Sequence, residues 1–311
     1  MASKEIIVVG ASAGGVNALK VLVSDFPADL PAAVFITLHL FERTESVLPD
    51  ILNHVSRLPV HNVSDRALIQ PGHIYVAPPD YHLLLSPGWV SLGHGPKENL
   101  QRPCINVMFR SAATAYGDSV IGVLLTGMLD DGASGLWEIQ QRGGVTIVQD
   151  PEEAAYRSMP ESAIRGFGVD HVVRLTELGP LLTDLTRRDH MTTAKPDSSA
   201  PHISRECRQS CPECGGVMTS AKMGRLQEYR CHIGHRFGLK TMIAEKSGLV
   251  ERAISTALSQ TEELTDLLRQ AEDHTDPSVA AALNEEIEAR REQARQLRDL
   301  LESRIDRSLG A

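Results

Sequence analysis

No stretch of this 311-residue chain approaches the roughly 18 consecutive apolar residues that a membrane-spanning helix requires. The N-terminus, Met1-Ala2-Ser3-Lys4, enters an apolar run at once, without room for the regions of a signal peptide. A cytoplasmic protein, not embedded in a membrane, is expected. Basic charge is also short: 31 Lys and Arg stand against 40 Asp and Glu, for a net charge of −9. That balance opposes a nucleic-acid backbone as partner. The deficit is uneven, since residues 249–306 hold 14 Asp and Glu, 7 Arg and no Lys. Cysteines are too few and too clustered for a disulfide framework. There are five, an odd number, and four of them fall between 207 and 231, which suits metal ligation or free thiols. Internal repeats are absent.

What is present is enough apolar sequence, 42%, to bury a substantial core in more than one domain. The chain is organised around Ile6-Ile7-Val8-Val9-Gly10-Ala11-Ser12-Ala13-Gly14-Gly15. Four apolar residues in a row, rich in β-branching, read as a strand buried on both faces. Glycines then allow a tight turn, and residues 16–23 resume at helical period. Residues 10–14 match G-x-S-x-G, the turn that lifts a serine oxygen above the carboxyl end of a sheet beside helix N–H groups. The same turn would suit a phosphate.

Further buried strands are expected at 32–38, 120–125 and 145–148, with a short one at 171–174. Helices are expected near 46–55, 103–116, 132–142, 160–166 and 176–187, and the short strand-like pieces of 71–93 as a small side hairpin. Alternating strands and helices predict a doubly wound α/β fold, its mostly parallel sheet covered by helices on both faces. The expected division is a catalytic domain over 1–187, a polar linker over 188–206, a zinc-ribbon-like Cys/His segment over 207–237 and an α-helical hairpin over 245–307.

In an open parallel sheet, chemistry gathers outside the carboxyl ends of the strands. Ser12 ends the first strand and His39 the second, while Asp130 and Asp131 follow the strand at 120–125. A hydroxyl, an imidazole and a carboxylate on one edge are what acyl hydrolysis needs. The serine requires a base, and the base a group that holds its tautomer. Imidazole suits that role because its unperturbed pKa of about 6.5 leaves it largely neutral near pH 7. Each residue has a blander reading: a small residue in a crowded turn, a histidine capping a strand end, an aspartate capping the helix that opens at Gly132. Agreement of the three in place and chemistry favours a triad, with Asp130 and Asp131 both open as its acid. A dinucleotide site is disfavoured, because it wants G-x-G-x-x-G and an acid after the second strand.

Residues 5–187 resemble the catalytic domain of chemotaxis receptor methylesterases, the CheB family of protein-glutamate methylesterases. The resemblance is carried by Gly10-Ala11-Ser12-Ala13-Gly14-Gly15, Leu38-His39-Leu40 and Pro71-Gly72-His73-Ile74-Tyr75-Val76-Ala77-Pro78. It continues through Arg102-Pro103, Asn106-Val107-Met108-Phe109, Leu124 to Met128, Asp131-Gly132-Ala133-Ser134-Gly135 and Met159-Pro160. It implies Ser12 as nucleophile, His39 as general base and acid, and Asp131 as the residue orienting His39. It implies hydrolysis of γ-glutamyl methyl esters on a methylated chemoreceptor through an acyl-enzyme, and deamidation of receptor glutamine in some relatives. Backbone N–H groups of Ala13 and Met128 would hold the oxyanion, and catalysis would need no cofactor. Ala13 stands where a hydroxyl residue is common in the family and Leu129 where glycine is, which implies a differently shaped oxyanion pocket. The family's usual N-terminal receiver domain is not found in this sequence, so control by phosphorylation in cis is not expected. A degenerate scaffold of a chemosensory system, or a serine hydrolase acting on another ester, are the alternatives.

Cys211-Pro212-Glu213-Cys214 and Cys231-His232-Ile233-Gly234-His235 have the two-knuckle spacing of a structural zinc site. Cys211, Cys214, Cys231 and His235 would close the tetrahedron, with Cys207 a spare candidate and His232 too near Cys231 to reach the same ion. Beyond them, Val250, Ile254, Ala257, Thr261, Leu264, Leu268 and Ala271 form a heptad seam. It breaks at Asp273-His274-Thr275-Asp276-Pro277 and resumes as Leu283, Ile287, Arg290, Ala294, Leu297 and Leu301. An antiparallel hairpin or a dimerising coiled coil is expected, serving self-association or a signalling partner.

Overall fold

The structure, a computed structural model, describes residues 5–39, 46–187, 202–272 and 276–309. Two compact units emerge from the packing, Met1–Met242 and Ile243–Ala311.

The first unit opens with β1 (Ile6–Ala11), α1 (Gly15–Ser24), β2 (Ala33–Leu38), α2 (Leu48–Asn53), β3 (Val60–Asn62), β4 (Ala67–Leu68) and β5 (Ile74–Val76). It continues through β6 (His82–Ser86), β7 (Trp89–Gly93), α3 (Ile105–Tyr116), β8 (Val120–Leu124), α4 (Ala133–Gln141) and β9 (Val145–Gln149). Next come α5 (Ser158–Phe167), β10 (His171–Val173) and α6 (Leu175–Arg187). Seven strands form one parallel sheet in the order β10-β9-β8-β1-β2-β5-β3. From β1 the chain builds one side through β2, β3 and β5 and then the other through β8, β9 and β10, so the switch point lies between β1 and β8, where open α/β sheets bind their ligands.

Burial on both faces explains the unbroken apolar runs. Ile7 and Val9 of β1 pack with Leu19, Leu22, Leu52, Leu178 and Leu182 on one face. Ile6 and Val8 pack with Ile105, Phe109, Leu136, Met159 and Ala163 on the other. The expected side hairpin is displaced. Ile74–Val76 joins the main sheet, because its three residues are wholly buried, and the side sheet is three-stranded, β4-β7-β6. The helix expected at 46–55 spans Leu48–Asn53, and the preceding residues 40–45, Leu40 of the family motif among them, lie outside the described residues.

The segment after the expected linker is a four-stranded antiparallel sheet of β11 (His202–Ser210), β12 (Val217–Met223), β13 (Leu226–Cys231) and β14 (Arg236–Gly238). Residues 202–206 therefore belong to a strand rather than to the linker, of which 188–201 lie outside the described residues. This sheet belongs to the same compact unit as the parallel sheet, because Leu226 packs on the core beneath α5 and the Arg225 N–H donates to the Gly166 carbonyl at 2.7 Å.

The final helices, α7 (Leu239–Glu272) and α8 (Pro277–Leu309), start earlier and run slightly longer than the expected hairpin. Within the second unit the seam of α8 is the expected one: Leu283, Ile287, Arg290, Ala294, Leu297 and Leu301 are all at least partly buried. That of α7 is shifted. Leu258 and Thr265 turn inward where Ala257 and Leu264 were expected, and Val250, Leu264 and Ala271 are exposed. Steps of four-then-three and three-then-four share the period of 3.5. Thr265 tolerates burial because its hydroxyl donates to the Thr261 carbonyl at 2.7 Å.

Candidate active site

Three loops meet at the carboxyl edge of the parallel sheet. The first follows β1, where Gly14 takes a left-handed φ of 75° and lets the chain turn directly into α1. Ser12 sits on that turn, with its N–H donating to the Thr126 carbonyl at 3.0 Å. The hydroxyl of Thr126 donates in turn to the Ala13 carbonyl at 3.0 Å, so the loop after β8 is laced to the serine turn. His39 follows β2, its backbone N–H held by the Ala11 carbonyl at 3.3 Å.

The side chains form one hydrogen-bonded line. The Ser12 hydroxyl lies 3.0 Å from His39 Nδ1, and His39 Nε2 lies 2.8 Å from Asp131 Oδ2. A proton on Nε2, donated to the carboxylate, leaves the Nδ1 lone pair facing the serine O–H. His39 is 13% exposed and Asp131 3%, so imidazole and acid are shielded while the serine turn stays open to a substrate.

Asp131 is fixed from several sides. Besides His39 it accepts from Asn99 Nδ2 at 3.0 Å, the Cys104 thiol at 3.1 Å, and the N–H groups of Ile105 at 2.8 Å and Asn106 at 3.4 Å. The last two belong to the first turn of α3, whose N–H groups have no partner within the helix and where a negative charge is favoured. Burial pushes the Asp131 carboxyl up, but the hydrogen bond and charge of His39 with the Ile105 and Cys104 donors hold it down at about 2. The Cys104 thiol is pushed well up, by burial first and by the Asp131 charge second, and it stays a neutral donor.

Asp130 goes elsewhere. Its carboxylate accepts from Lys240 N at 2.8 Å, Thr241 N at 3.3 Å and the Thr241 hydroxyl at 2.7 Å, capping α7. Neither aspartate side chain caps the helix opening at Gly132, as the blander reading had expected; in the first turn of α4 the Gly135 N–H is instead accepted by Asn106 Oδ1 at 2.7 Å. Leu129 adopts φ 62°, the left-handed region where glycine is at ease and a leucine is strained. The hydroxyls of Ser158 and Ser162 hold its carbonyl at 2.8 and 3.2 Å. A cavity of about 160 Å³ lies beside Asp130, among Asn106, Ser134, Glu228, Gly238 and Lys240. Ser12 and His39 are not among its walls, so it is not where the serine would meet a substrate.

The CheB methylesterase family model matches residues 7–182, more than half of the chain. The chain belongs to the CheB methylesterase family. A Leptospira interrogans relative is 37% identical over 186 residues, 60% of this chain and 96% of that one. A Geobacter metallireducens protein named protein-glutamate methylesterase/protein-glutamine glutaminase is 40% identical over 180 residues, 57% of this chain and 49% of that one. The chain thus spans about half the length of several curated relatives it matches. The crystal structure of the Thermotoga maritima CheB methylesterase catalytic domain matches at 31% identity with a TM-score of 0.56, covering 58% of this chain and 98% of that one. This chain is an enzyme of the methylesterase type, a carboxylic ester hydrolase, and its mostly parallel sheet is that of the CheB catalytic domain.

The structure also brings Cys211, Cys214, Cys231 and His235 together, with their ligand atoms all within 4.8 Å of one another. Cys207 stands apart from that set, its thiol donating to the Met218 carbonyl at 3.3 Å, and His232 packs against Gly216 on the surface. Three contributors escaped the sequence reading: Asn99, which has no motif around it, the Cys104 thiol, and the start of α3, whose N–H groups only the fold brings to Asp131.

Proposed function

We propose that Ser12, His39 and Asp131 act as a catalytic triad that hydrolyses γ-glutamyl methyl esters of a methylated chemoreceptor. The observation that carries this is the unbroken line from Ser12 Oγ through His39 to Asp131, set at the switch point of a CheB-family sheet. His39 Nδ1 takes the serine proton as Oγ attacks the ester carbonyl, and Asp131 stabilises the imidazolium that forms. The N–H groups of Ser12 and Gly127 are committed to the Thr126 and Tyr156 carbonyls. We therefore assign the oxyanion to the amides of Ala13 and Met128, one residue further along each loop. Nδ1 then returns its proton to the departing methoxide, releasing methanol, and water activated at the same nitrogen clears the acyl-serine to give glutamate. Receptor glutamine would be deamidated by the same sequence, with ammonia as the leaving group. The acidic hairpin takes no part in the chemistry; its exposed Leu264 and Leu267 are where a second copy or a signalling partner would dock.

Mass spectrometry of a methylated chemoreceptor incubated with the protein tests the reading. Each site is expected to lose the mass of one methylene, and Ser12→Ala to slow this at least about 10³-fold. Equal behaviour of wild type and Ser12→Ala would return the scaffold reading.

A further inference from the structure

The Cys/His sheet ends in two neighbouring turns. In the first, Cys211 N–H donates to the Gly216 carbonyl at 2.8 Å and Gly215 N–H to the Cys211 carbonyl at 2.9 Å. In the second, Cys231 N–H donates to the His235 carbonyl at 3.0 Å and Gly234 N–H to the Cys231 carbonyl at 3.1 Å. His235 Nδ1 lies 3.6 Å from Cys211 Sγ and 3.5 Å from Cys231 Sγ, and the sulfurs of Cys214 and Cys231 are 3.9 Å apart. With metal–sulfur bonds of about 2.3 Å and metal–nitrogen bonds of about 2.0–2.1 Å, a tetrahedral zinc site has edges of about 3.8 Å between sulfurs and about 3.5 Å between sulfur and nitrogen. The spacing is therefore that of a ligand shell. Apart from those cysteines, the fully buried members of the local core among the described residues are Met218, Phe237 and Met242, a small core that a metal staple would reinforce.

The strand that follows His235 leads to the triad. Asn99 N–H donates to the Arg236 carbonyl at 2.7 Å, and Gly238 N–H donates to Asn99 Oδ1 at 2.8 Å. The other end of the same amide, Nδ2, donates to Asp131. Asn99 is held in the left-handed region, φ 50°, and is 5% exposed. A Cβ on Gly238 would lie 2.4 Å from Asp130 Oδ2, so the strand presses directly on the neighbour of Asp131. Arg236 reaches Glu98 at 3.6 Å and Glu228 at 3.1 Å, tying the residue before Asn99 to the Cys/His sheet.

We propose that Cys211, Cys214, Cys231 and His235 hold one zinc ion, and that the zinc-stapled strand Arg236–Gly238 fixes Asn99 against Asp131 and so aligns His39. Asn99 is a positioning residue, acting on Ser12 through Asp131 and His39. This second half rests on the triad reading, whereas the metal site does not.

The test uses the full chain purified from zinc-supplemented cells. Wild type is expected to hold one zinc per chain by atomic emission, and Cys231→Ser to have lost it. Zinc well below one per chain, or retained in Cys231→Ser, overturns the metal site. Labelling by a fluorophosphonate probe then reports the nucleophilicity of Ser12. Cys231→Ser is expected to label at least about tenfold more slowly. Asn99→Ala is expected to keep its zinc, label about tenfold more slowly, and lose kcat on an ester with KM unchanged. That split is not what general loosening would produce. Wild-type rates in zinc-free Cys231→Ser, or in Asn99→Ala, overturn the positioning role. An unlabelled wild-type Ser12 would sink the triad reading and the positioning role with it, and leave the zinc analysis to stand alone.

Discussion

Asp131 is almost wholly buried yet charged, because five donors from His39, Asn99, Cys104, Ile105 and Asn106 surround it. Its carboxyl titrates at about 2 in the folded chain against an ordinary 3.8. A lowered value favours the fold wherever the unfolded chain would also be ionised. The contribution, about 2 kcal/mol, is thus complete above about pH 4 and fades as pH falls toward 2. Asp131→Asn is expected to flatten that acid dependence in a denaturation series. It is also expected to cut kcat by about 10³–10⁴, since an amide can hold the imidazole in the wrong tautomer. The choice between Asp130 and Asp131 shows where residue-level reading stopped. Spacing put both on the right loop, the family resemblance singled out Asp131, and the placement of α3 and α7 around them gives one aspartate to each helix. The departure at Leu129 was visible as a residue out of family pattern, and its left-handed backbone shows what the substitution costs.

At the scale of elements, the strands and helices of the parallel sheet were legible because burial on both faces leaves unbroken apolar runs between turn residues. Ile74–Val76 was misplaced because three apolar residues look alike in a side hairpin and in a main sheet. The seam of α7 slipped because two heptad phases shared Ile254, Thr261 and Leu268. Packing between α3 and α4 is tight enough to test. A Cβ added to Gly135 would meet Phe109 Cβ at 2.6 Å and the Asn106 backbone at 3.0 Å. Gly135→Ala is therefore expected to destabilise the chain by about 1–3 kcal/mol in urea, despite its gain in helix propensity.

For the molecule as a whole, the two compact units carry very different cores. Among the described residues of the second, Ile287 and Ala294 are the fully buried apolar side chains, whereas the first buries both faces of a seven-stranded sheet. Both tryptophans, Trp89 and Trp137, lie in the first unit. Urea is expected to remove helical ellipticity at a lower concentration than it shifts tryptophan fluorescence, and coincident transitions would show a single cooperative molecule. That the Cys/His segment shares a unit with the parallel sheet was not readable beforehand. Its attachment runs through backbone groups of Arg225, Arg236 and Gly238 together with the side chains of Asn99, Leu226 and Arg236, which carry no sequence signature.

The thiol of Cys104 is sealed from solvent and points at Asp131, while Cys214, in the turn between β11 and β12, is exposed. An oxidant or alkylating agent meeting the folded protein would therefore spend itself on the appended sulfurs first. Damage by such agents would begin in the add-on rather than in the hydrolase.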